Sequence, residues 1–218
     1  MNKEQILKKV EKYVKKIMSQ AKDQSHDFGH VNRVRNWAMK IGKKEGGVNM
    51  FYLEITALLH DIGRLKETKN ISHYVAGKKM AKKFLTSLNY FDKKIIENIS
   101  QSIYEHGPGG ESKLTKILQD ADRMDGCGAI IIARIFILFG HKPIFIDKNS
   151  FNFKERNEDE IQELYQNKKI NSFQCVMEHF NLAFNIIDIM HTKTAQEFAK
   201  DKINFMKKFC KELEKEVV

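Results

Sequence analysis

The sequence predicts an all-α fold, and three observations lead to this prediction. The 218 residues include only two prolines, Pro108 and Pro143, so few positions interrupt a helix. No Gly/Ser-rich linker, internal repeat or low-complexity tract marks a domain boundary. Apolar residues recur with the helical period along most of the chain. We therefore predict a single all-helical domain over residues 1–218.

Two amphipathic helices are predicted at the start of the chain. The apolar positions of the first are Ile6, Val10, Tyr13, Val14 and Ile17. Their spacing predicts a helix that ends before Ser25. The second runs from about His26 to Lys43, and its inward positions are Val34, Trp37, Ala38 and Ile41. His30 lies four residues before Val34 and therefore shares this inward face.

The third helix is expected to be central in the fold. Residues from about Met50 to Ile62 are apolar nearly all round, which is typical of a helix buried on every side. Gly63 follows and is predicted to cap its C-terminus. The adjacent pair His60 and Asp61 therefore lies near the end of a buried element.

The next two helices each carry a histidine at one end. A helix is predicted from Ser72 to Leu88, and His73 begins its apolar stripe. Another is predicted from about Asp92 to Tyr104, and His106 continues its stripe just before a glycine-rich turn. Both histidines are expected to face inward.

The second half of the chain is also predicted to be helical. A helix from Lys113 to Met124 places Asp122 on its inward face, and an apolar core helix covers Ala129–Phe139. Residues from Gly140 to Phe153 are interpreted as an ordered loop or a short extended pair. The remainder is predicted to form two long amphipathic helices, through positions 173–187 and over about 194–216.

Charge and cysteine content limit the classes of function. The net charge of +10 raises the possibility of nucleic-acid binding. However, lysines occur in short pairs interleaved with acidic residues, as on solvated helix faces, so nucleic acid is not expected as a partner. This positive field can still attract small anionic substrates. The cysteines Cys127, Cys175 and Cys210 are widely spaced, which predicts buried thiols rather than disulfides or structural zinc.

Neither a membrane segment nor a secretory leader is predicted from the sequence. Residues 1–20 alternate charged with apolar residues and lack an uninterrupted apolar stretch. A run of about 18 apolar residues, as a transmembrane helix requires, does not occur. The protein is therefore expected to be soluble and cytoplasmic, without a membrane partner.

The most informative feature is a set of ionisable side chains on the apolar faces of five successive helices. These side chains are His30, His60, Asp61, His73, His106 and Asp122. Buried ionisable groups are costly unless they are paired or bind a metal ion. One such histidine is usually an ordinary core residue, but five helices that contribute to one interior favour a divalent cation. Imidazole and carboxylate ligands without thiolate suit Mn, Fe, Co, Ni, Zn or Mg.

The order of these residues resembles the H...HD...D signature of the HD-superfamily phosphohydrolases. The matching segments are His26-Asp27-Phe28-Gly29-His30-Val31-Asn32-Arg33-Val34, Leu59-His60-Asp61-Ile62-Gly63, Leu118 to Asp125 and Gly126 to Arg134. They are most similar to a branch of uncharacterised bacterial and archaeal HD hydrolases that includes nucleotide pyrophosphatases. The tail resembles that branch in Glu178-His179-Phe180 and in Met190 to Ala195. The resemblance implies an HD-domain helical bundle with a core over about 22–139 and a helical extension over about 154–218.

The resemblance also implies a ligand set. It assigns His30, His60, Asp61 and Asp122 as metal ligands, with Asp61 also placing the attacking water. His73 and His106 look like the residues that two-metal HD proteins use for a second ion, and substrate contact or helix capping remains an alternative for them. The supporting residues that orient ligands are then His26, Asp27 and Asp125.

Two arginines near these ligands are candidates for phosphate binding. Arg33 and Arg123 each lie close in sequence to a ligand, and a guanidinium suits bidentate phosphate recognition. The alternative is a salt bridge, for example from Arg123 to Asp27 or Asp125. Other charged or polar residues are expected to lie outside the site. These are Asp120, which should face water, Arg64 and Lys66 as exposed loop charges, and His179 and His191 in core packing.

The expected activity is hydrolysis of a phosphoester or phosphoanhydride by water activated on one or two divalent cations. The substrate is expected to be a nucleotide or another small phosphorylated metabolite, and a homodimer is compatible with this function. Two alternatives remain open from the sequence: a di-iron oxygenase of the HD type, and a basic helical protein that binds nucleic acid. The last leaves the buried histidines and aspartates unexplained.

Overall fold

The computed structural model describes residues 1–20, 27–107, 109–139, 146 and 148–217. Within these ranges the chain forms α-helices and three short 3-10 helices but no strand, so the predicted all-α class is confirmed. In chain order the helices are α1 (Lys3–Met18), α2 (Phe28–Glu45), α3 (Met50–Leu59), α4 (His73–Ser87), α5 (Lys93–Glu105), α6 (Lys113–Asp125), α7 (Ala129–Phe139), α8 (Glu158–Gln166), α9 (Ser172–Phe184) and α10 (Lys193–Glu216). The 3-10 helices are Ile62–Lys66, Lys148–Phe151 and Ile186–Ile189.

The chain divides into two compact units, residues 1–124 and 125–218. The core of the first unit is built from the apolar faces of α1, α3, α4 and α5, to which Val31 of α2 is added. As predicted, α3 is central, since every residue from Leu53 to Leu59 except Glu54 is fully buried. Burial on all sides fixes the position of the segment that follows α3. The prediction of one domain over residues 1–218 stays a prediction.

The second unit has its own aromatic core. Phe136 of α7, Phe180 of α9 and Phe209 of α10 pack edge to face, with ring centroids 5.7–6.3 Å apart. Two long C-terminal helices were predicted and are present as α9 and α10. The sequence analysis missed α8, which buries a single apolar side chain, Ile161. The expected loop from Gly140 to Phe153 lies partly outside the described residues, and a 3-10 helix covers Lys148–Phe151.

One predicted helix end is wrong, and the difference matters for the site. Helix α3 ends at Leu59 with His60 as its C-cap, so Gly63 is not the cap but lies within the following 3-10 helix. A Cβ atom on Gly63 would lie 1.9 Å from the carbonyl oxygen of His73 and 2.5 Å from the amide nitrogen of Gly77. Glycine is therefore required here because two backbones approach directly, which brings the start of α4 against the segment after His60.

Among the described residues, no helix is both long and apolar enough to cross a membrane.

Candidate metal centre

Six ionisable side chains meet inside the first unit, each from an element identified above. His30 lies on α2, His60 and His106 are the C-caps of α3 and α5, Asp61 follows His60, His73 begins α4, and Asp122 lies on α6. All are buried except Asp122, whose side chain is 36% exposed. The site therefore meets solvent on the side of Asp122.

The first ligand group comprises His30, His60 and Asp122. The Nε2 atoms of His30 and His60 are 3.3 Å apart. The Oδ1 atom of Asp122 lies 3.4 Å from Nε2 of His30 and 3.9 Å from Nε2 of His60. These three ligand atoms are mutually close enough to hold one metal ion.

The second ligand group comprises Asp61, His73 and His106. The Nε2 atoms of His73 and His106 each lie 3.9 Å from Oδ1 of Asp61. The three side chains are buried, and their ligand atoms also lie within 4.8 Å of one another. They can hold a second ion.

The carboxylate of Asp61 lies between the two groups. Its Oδ2 atom is 3.6 Å from Nε2 of His30 and 3.8 Å from Nε2 of His60. Its Oδ1 atom faces His73 and His106 of the second group. One side chain thus presents a different oxygen to each group.

The orientation of the imidazole rings follows from their Nδ1 atoms. Nδ1 of His60 donates to the carbonyl oxygen of Ala57 at 2.8 Å, and Nδ1 of His106 donates to that of Ile103 at 2.5 Å. Nδ1 of His73 donates to the carboxylate of Glu67 at 2.7 Å. Because a carbonyl or carboxylate oxygen can only accept, each ring carries a hydrogen on Nδ1 and its Nε2 atom is directed into the site, where a neutral ring offers a lone pair.

One imidazole nitrogen of the site needs a partner that the described protein atoms do not supply. Nε2 of His73 is buried and has no hydrogen-bond partner among the described residues. Burial and the nearby His60 lower the pKa of His106 to about 4, so its ring is neutral near pH 7 and is available as a ligand. The C-terminal ends of α3 and α5, which carry partial negative charge, also favour a cation here. The donor set therefore fits divalent metal ions.

Two further charged residues, Arg64 and Glu67, contact the site, and neither was predicted there from the sequence. Arg64 is not an exposed loop charge: its Nε lies 3.3 Å from Oδ1 of Asp61, and its Nη1 lies 3.3 Å from Oε2 of Glu67. Glu67 in turn accepts the hydrogen bond from His73. The signal in the sequence was the three-residue spacing of Asp61, Arg64 and Glu67, which places them on one face of a 3-10 turn.

The predicted phosphate-binding arginines lie on the ligand helices α2 and α6, and their phosphate role stays a prediction. Arg33 is partly buried, one turn after His30 on α2. Arg123 pairs with Asp120 at 3.4 Å rather than with Asp27 or Asp125. The expectation that Asp120 faces water is wrong, since it is fully buried.

The predicted supporting residues have other contacts. Asp27 caps α2, and its carboxylate accepts from the backbone amide of His30 at 2.8 Å. Asp125, in the second unit, pairs with Arg134 at 2.8 Å. His26 lies outside the described residues.

The two C-terminal histidines differ from each other in burial. His179 is partly buried, and its Nδ1 donates to the carbonyl oxygen of Cys175 at 2.7 Å. The expectation that His191 packs in the core is wrong, since His191 is exposed.

Comparison with known families identifies the segment that carries these ligands. Residues 27–127 match the model of the HD-domain family. The chain carries an HD domain. This segment includes all six side chains of the two ligand groups, from His30 to Asp122.

The HD domain and the helices after it are similar to bacterial proteins over nearly their whole length. The uncharacterized protein YpgQ of Bacillus subtilis is 29% identical over 229 residues, covering 97% of this chain and 95% of YpgQ. The crystal structure of YpgQ in complex with ADP superposes with a TM-score of 0.72 and 25% identity, covering 99% and 97% of the two chains.

A second solved relative is described as a hydrolase. An HD-superfamily hydrolase from Bacillus thuringiensis is 27% identical, with a TM-score of 0.71 and coverage of 99% and 98%. The predicted HD-domain bundle is thereby confirmed, and the relatives described as HD-superfamily hydrolases support a hydrolase.

Proposed function

We propose that this HD-superfamily hydrolase is a divalent-metal-dependent phosphohydrolase that acts on a nucleotide or another small phosphorylated metabolite. The observation that carries the proposal is the position of Asp61, whose two oxygens face two separate groups of ligand atoms. A carboxylate between two cations is a suitable arrangement for displacement at phosphorus, where charge develops on both the attacking and the leaving oxygen. The proposal thus includes two cations per chain.

The ligand residues would hold the cations in place, and a bound divalent cation supplies Lewis acidity and a water of lowered pKa. His30, His60 and Asp122 form the first group, and Asp61, His73 and His106 form the second. Burial of all but Asp122 excludes bulk water, which strengthens electrostatic interactions at the reacting phosphate. The exposed side of Asp122 is where substrate enters.

Positive charge near the ligands supports an anionic substrate. Arg33 lies one turn after His30, and Arg123 adjoins Asp122, and the proposal assigns phosphate binding to their guanidinium groups. The net charge of +10 adds a general field that attracts anions. The similar protein YpgQ was crystallised with ADP, which favours a nucleotide as the substrate class.

The test is elemental analysis of the purified protein, followed by a Mn-supplemented screen of nucleotides that measures phosphate and pyrophosphate separately. His60→Ala removes a ligand of the first group, so it should bind one cation fewer than the wild type and should lose hydrolysis. His191→Ala is the matched control, because His191 is exposed and belongs to neither ligand group. A wild-type protein that binds no metal, with His60→Ala unchanged, would refute the proposal.

An oxygenase is the second candidate, since four histidines and two aspartates are also the donor set of di-iron HD proteins. The same elemental analysis separates the two functions. Two irons per chain together with oxygen uptake on a polyol or phosphonate, and no phosphate release, would favour the oxygenase.

A further inference from the structure

Glu67 uses both of its carboxylate oxygens on residues of the candidate metal centre. Its Oε1 accepts a hydrogen bond from Nδ1 of His73 at 2.7 Å and a longer one from the His73 backbone amide at 3.4 Å. Its Oε2 accepts from Nη1 of Arg64 at 3.3 Å. Glu67 is the residue directly after the 3-10 helix that follows Asp61.

His73 needs an acceptor from outside its own helix. His60 and His106 lie at helix C-termini, so the carbonyl three residues earlier is available to their Nδ1 atoms. His73 is the first residue of α4 and has no preceding helical turn to supply such a carbonyl. The carboxylate of Glu67 takes that place.

Arg64 connects the carboxylate of Glu67 to that of Asp61, the aspartate of the second ligand group. The guanidinium of Arg64 contacts Glu67 through Nη1 and Oδ1 of Asp61 through Nε. His73 contacts Asp61 as well as Glu67, since its Nε2 lies 3.9 Å from Oδ1 of Asp61. Glu67 is thus in a position to fix the separation of Asp61 and His73 as well as the orientation of the His73 ring.

We propose that Glu67 is the positioning residue of the second ligand group and sets its affinity for a cation. It holds His73 with the hydrogen on Nδ1, so that Nε2 presents a lone pair, and it contributes a negative charge behind the ring. A carboxylate in this role makes an imidazole a stronger ligand. The inference rests on the proposed function in one respect, namely that a cation binds at the second group.

Two variants separate the hydrogen bond from the charge. Glu67→Gln keeps an acceptor oxygen and removes the charge, whereas Glu67→Ala removes both. Glu97→Gln is the control, because Glu97 is an acidic residue of the same unit whose carboxylate pairs with Lys78 and Lys82 and belongs to neither ligand group. The measurements are Mn2+ titration by calorimetry, and nitrogen NMR of the His73 tautomer in the metal-free protein.

The three variants should differ in how far they lower the affinity for the second Mn2+. Glu67→Ala should weaken the second Mn2+ by about 10–100-fold, the usual effect of losing such a partner, and leave the first unchanged. Its His73 ring should exchange between tautomers. Glu67→Gln should keep the Nδ1–H tautomer and lose only part of the affinity. Glu97→Gln should match the wild type.

The outcomes that contradict the inference are distinct from those that contradict the proposed function. If the wild type binds two Mn2+ and Glu67→Ala binds both equally well, the role of Glu67 is refuted while the phosphohydrolase proposal stands. If Glu67→Ala weakens both ions alike, Glu67 supports the fold rather than the second group, and the inference is also refuted. If the wild type binds one ion, the two-cation proposal fails and the inference fails with it. If it binds none, the phosphohydrolase proposal itself fails.

Discussion

At the scale of single residues, the neutral state of buried His106 should lower the free energy of unfolding in acid. Its pKa is lowered from 6.5 to about 4 in the folded protein, chiefly by burial. The unfolded chain therefore takes up a proton between these pH values that the folded protein does not. In metal-free protein, the free energy of unfolding should fall as the pH is lowered from about 6.5 towards 4, and this contribution should be absent above that window.

His106→Gln cannot titrate, so its unfolding free energy should depend less steeply on pH within that window. Chemical denaturation of chelator-treated protein at several pH values provides the measurement. His191→Gln should keep the wild-type slope, since His191 is exposed. If the free energy of unfolding depends equally on pH in the wild type and in His106→Gln, the lowered pKa of His106 is contradicted.

The meeting of these six side chains could be predicted from the sequence because histidine and aspartate on an apolar helix face are conspicuous. Arg64 and Glu67 could not, because charged residues after a glycine are usual in exposed loops. Only the 3-10 turn after Asp61 directs their side chains to the site. Asp120 was misplaced for the converse reason, since α6 is buried over more of its circumference than its apolar stripe indicates.

At the scale of secondary-structure elements, the contact of Gly63 with α4 predicts a severe effect of one methyl group. Gly63→Ala would place Cβ 1.9 Å from the carbonyl oxygen of His73, which is backbone and cannot rotate away. The two elements must separate, and we expect a loss of about 1–3 kcal/mol in unfolding free energy, as for other overpacked sites. Binding of the second Mn2+ should weaken too, because His73 moves with α4.

Gly46→Ala is a useful comparison for that experiment. Apart from its chain neighbours, no heavy atom of the described residues lies within 4 Å of the new Cβ at Gly46, whose φ is +61°, so only backbone strain of roughly 1 kcal/mol is expected. Its metal affinity should stay at the wild-type value. Equal metal affinity in Gly63→Ala and Gly46→Ala would show that the close contact does not position His73.

Helix positions were well predicted wherever the apolar period was long. The bounds of α7 match the prediction, and those of α4, α5 and α6 agree within one or two residues. The missed helix α8 has a polar surface and depends on its Asn157 capping box more than on an apolar stripe. The end of α3 was misplaced because a glycine that permits close packing and a glycine that caps a helix look alike in a sequence.

At the scale of the whole molecule, cation binding should stabilise the fold, because both ligand groups gather side chains from separate helices of residues 1–124. At a cation concentration 100 times Kd, the expected gain is about 2.7 kcal/mol. A gain of that size raises Tm by roughly 5–10 °C for a chain of 218 residues.

Thermal scans with Mn2+, and again after chelation, measure this effect. Chelation should reverse the increase in Tm, and His60→Ala should lose the part of the increase that the first ligand group contributes. A full increase in His60→Ala would show that the first ligand group does not bind the stabilising cation.

The carbonyl acceptors of His60 and His106 have a consequence for how such a site tolerates mutation. A main-chain oxygen is present whatever side chain occupies position 57 or 103, so sequence drift around these ligands leaves their ring orientation intact. The ring of His73 depends instead on one particular side chain, Glu67. If the proposed two cations bind, a single substitution there would be enough to weaken one of them selectively during evolution, while the rest of the helical framework stays unchanged.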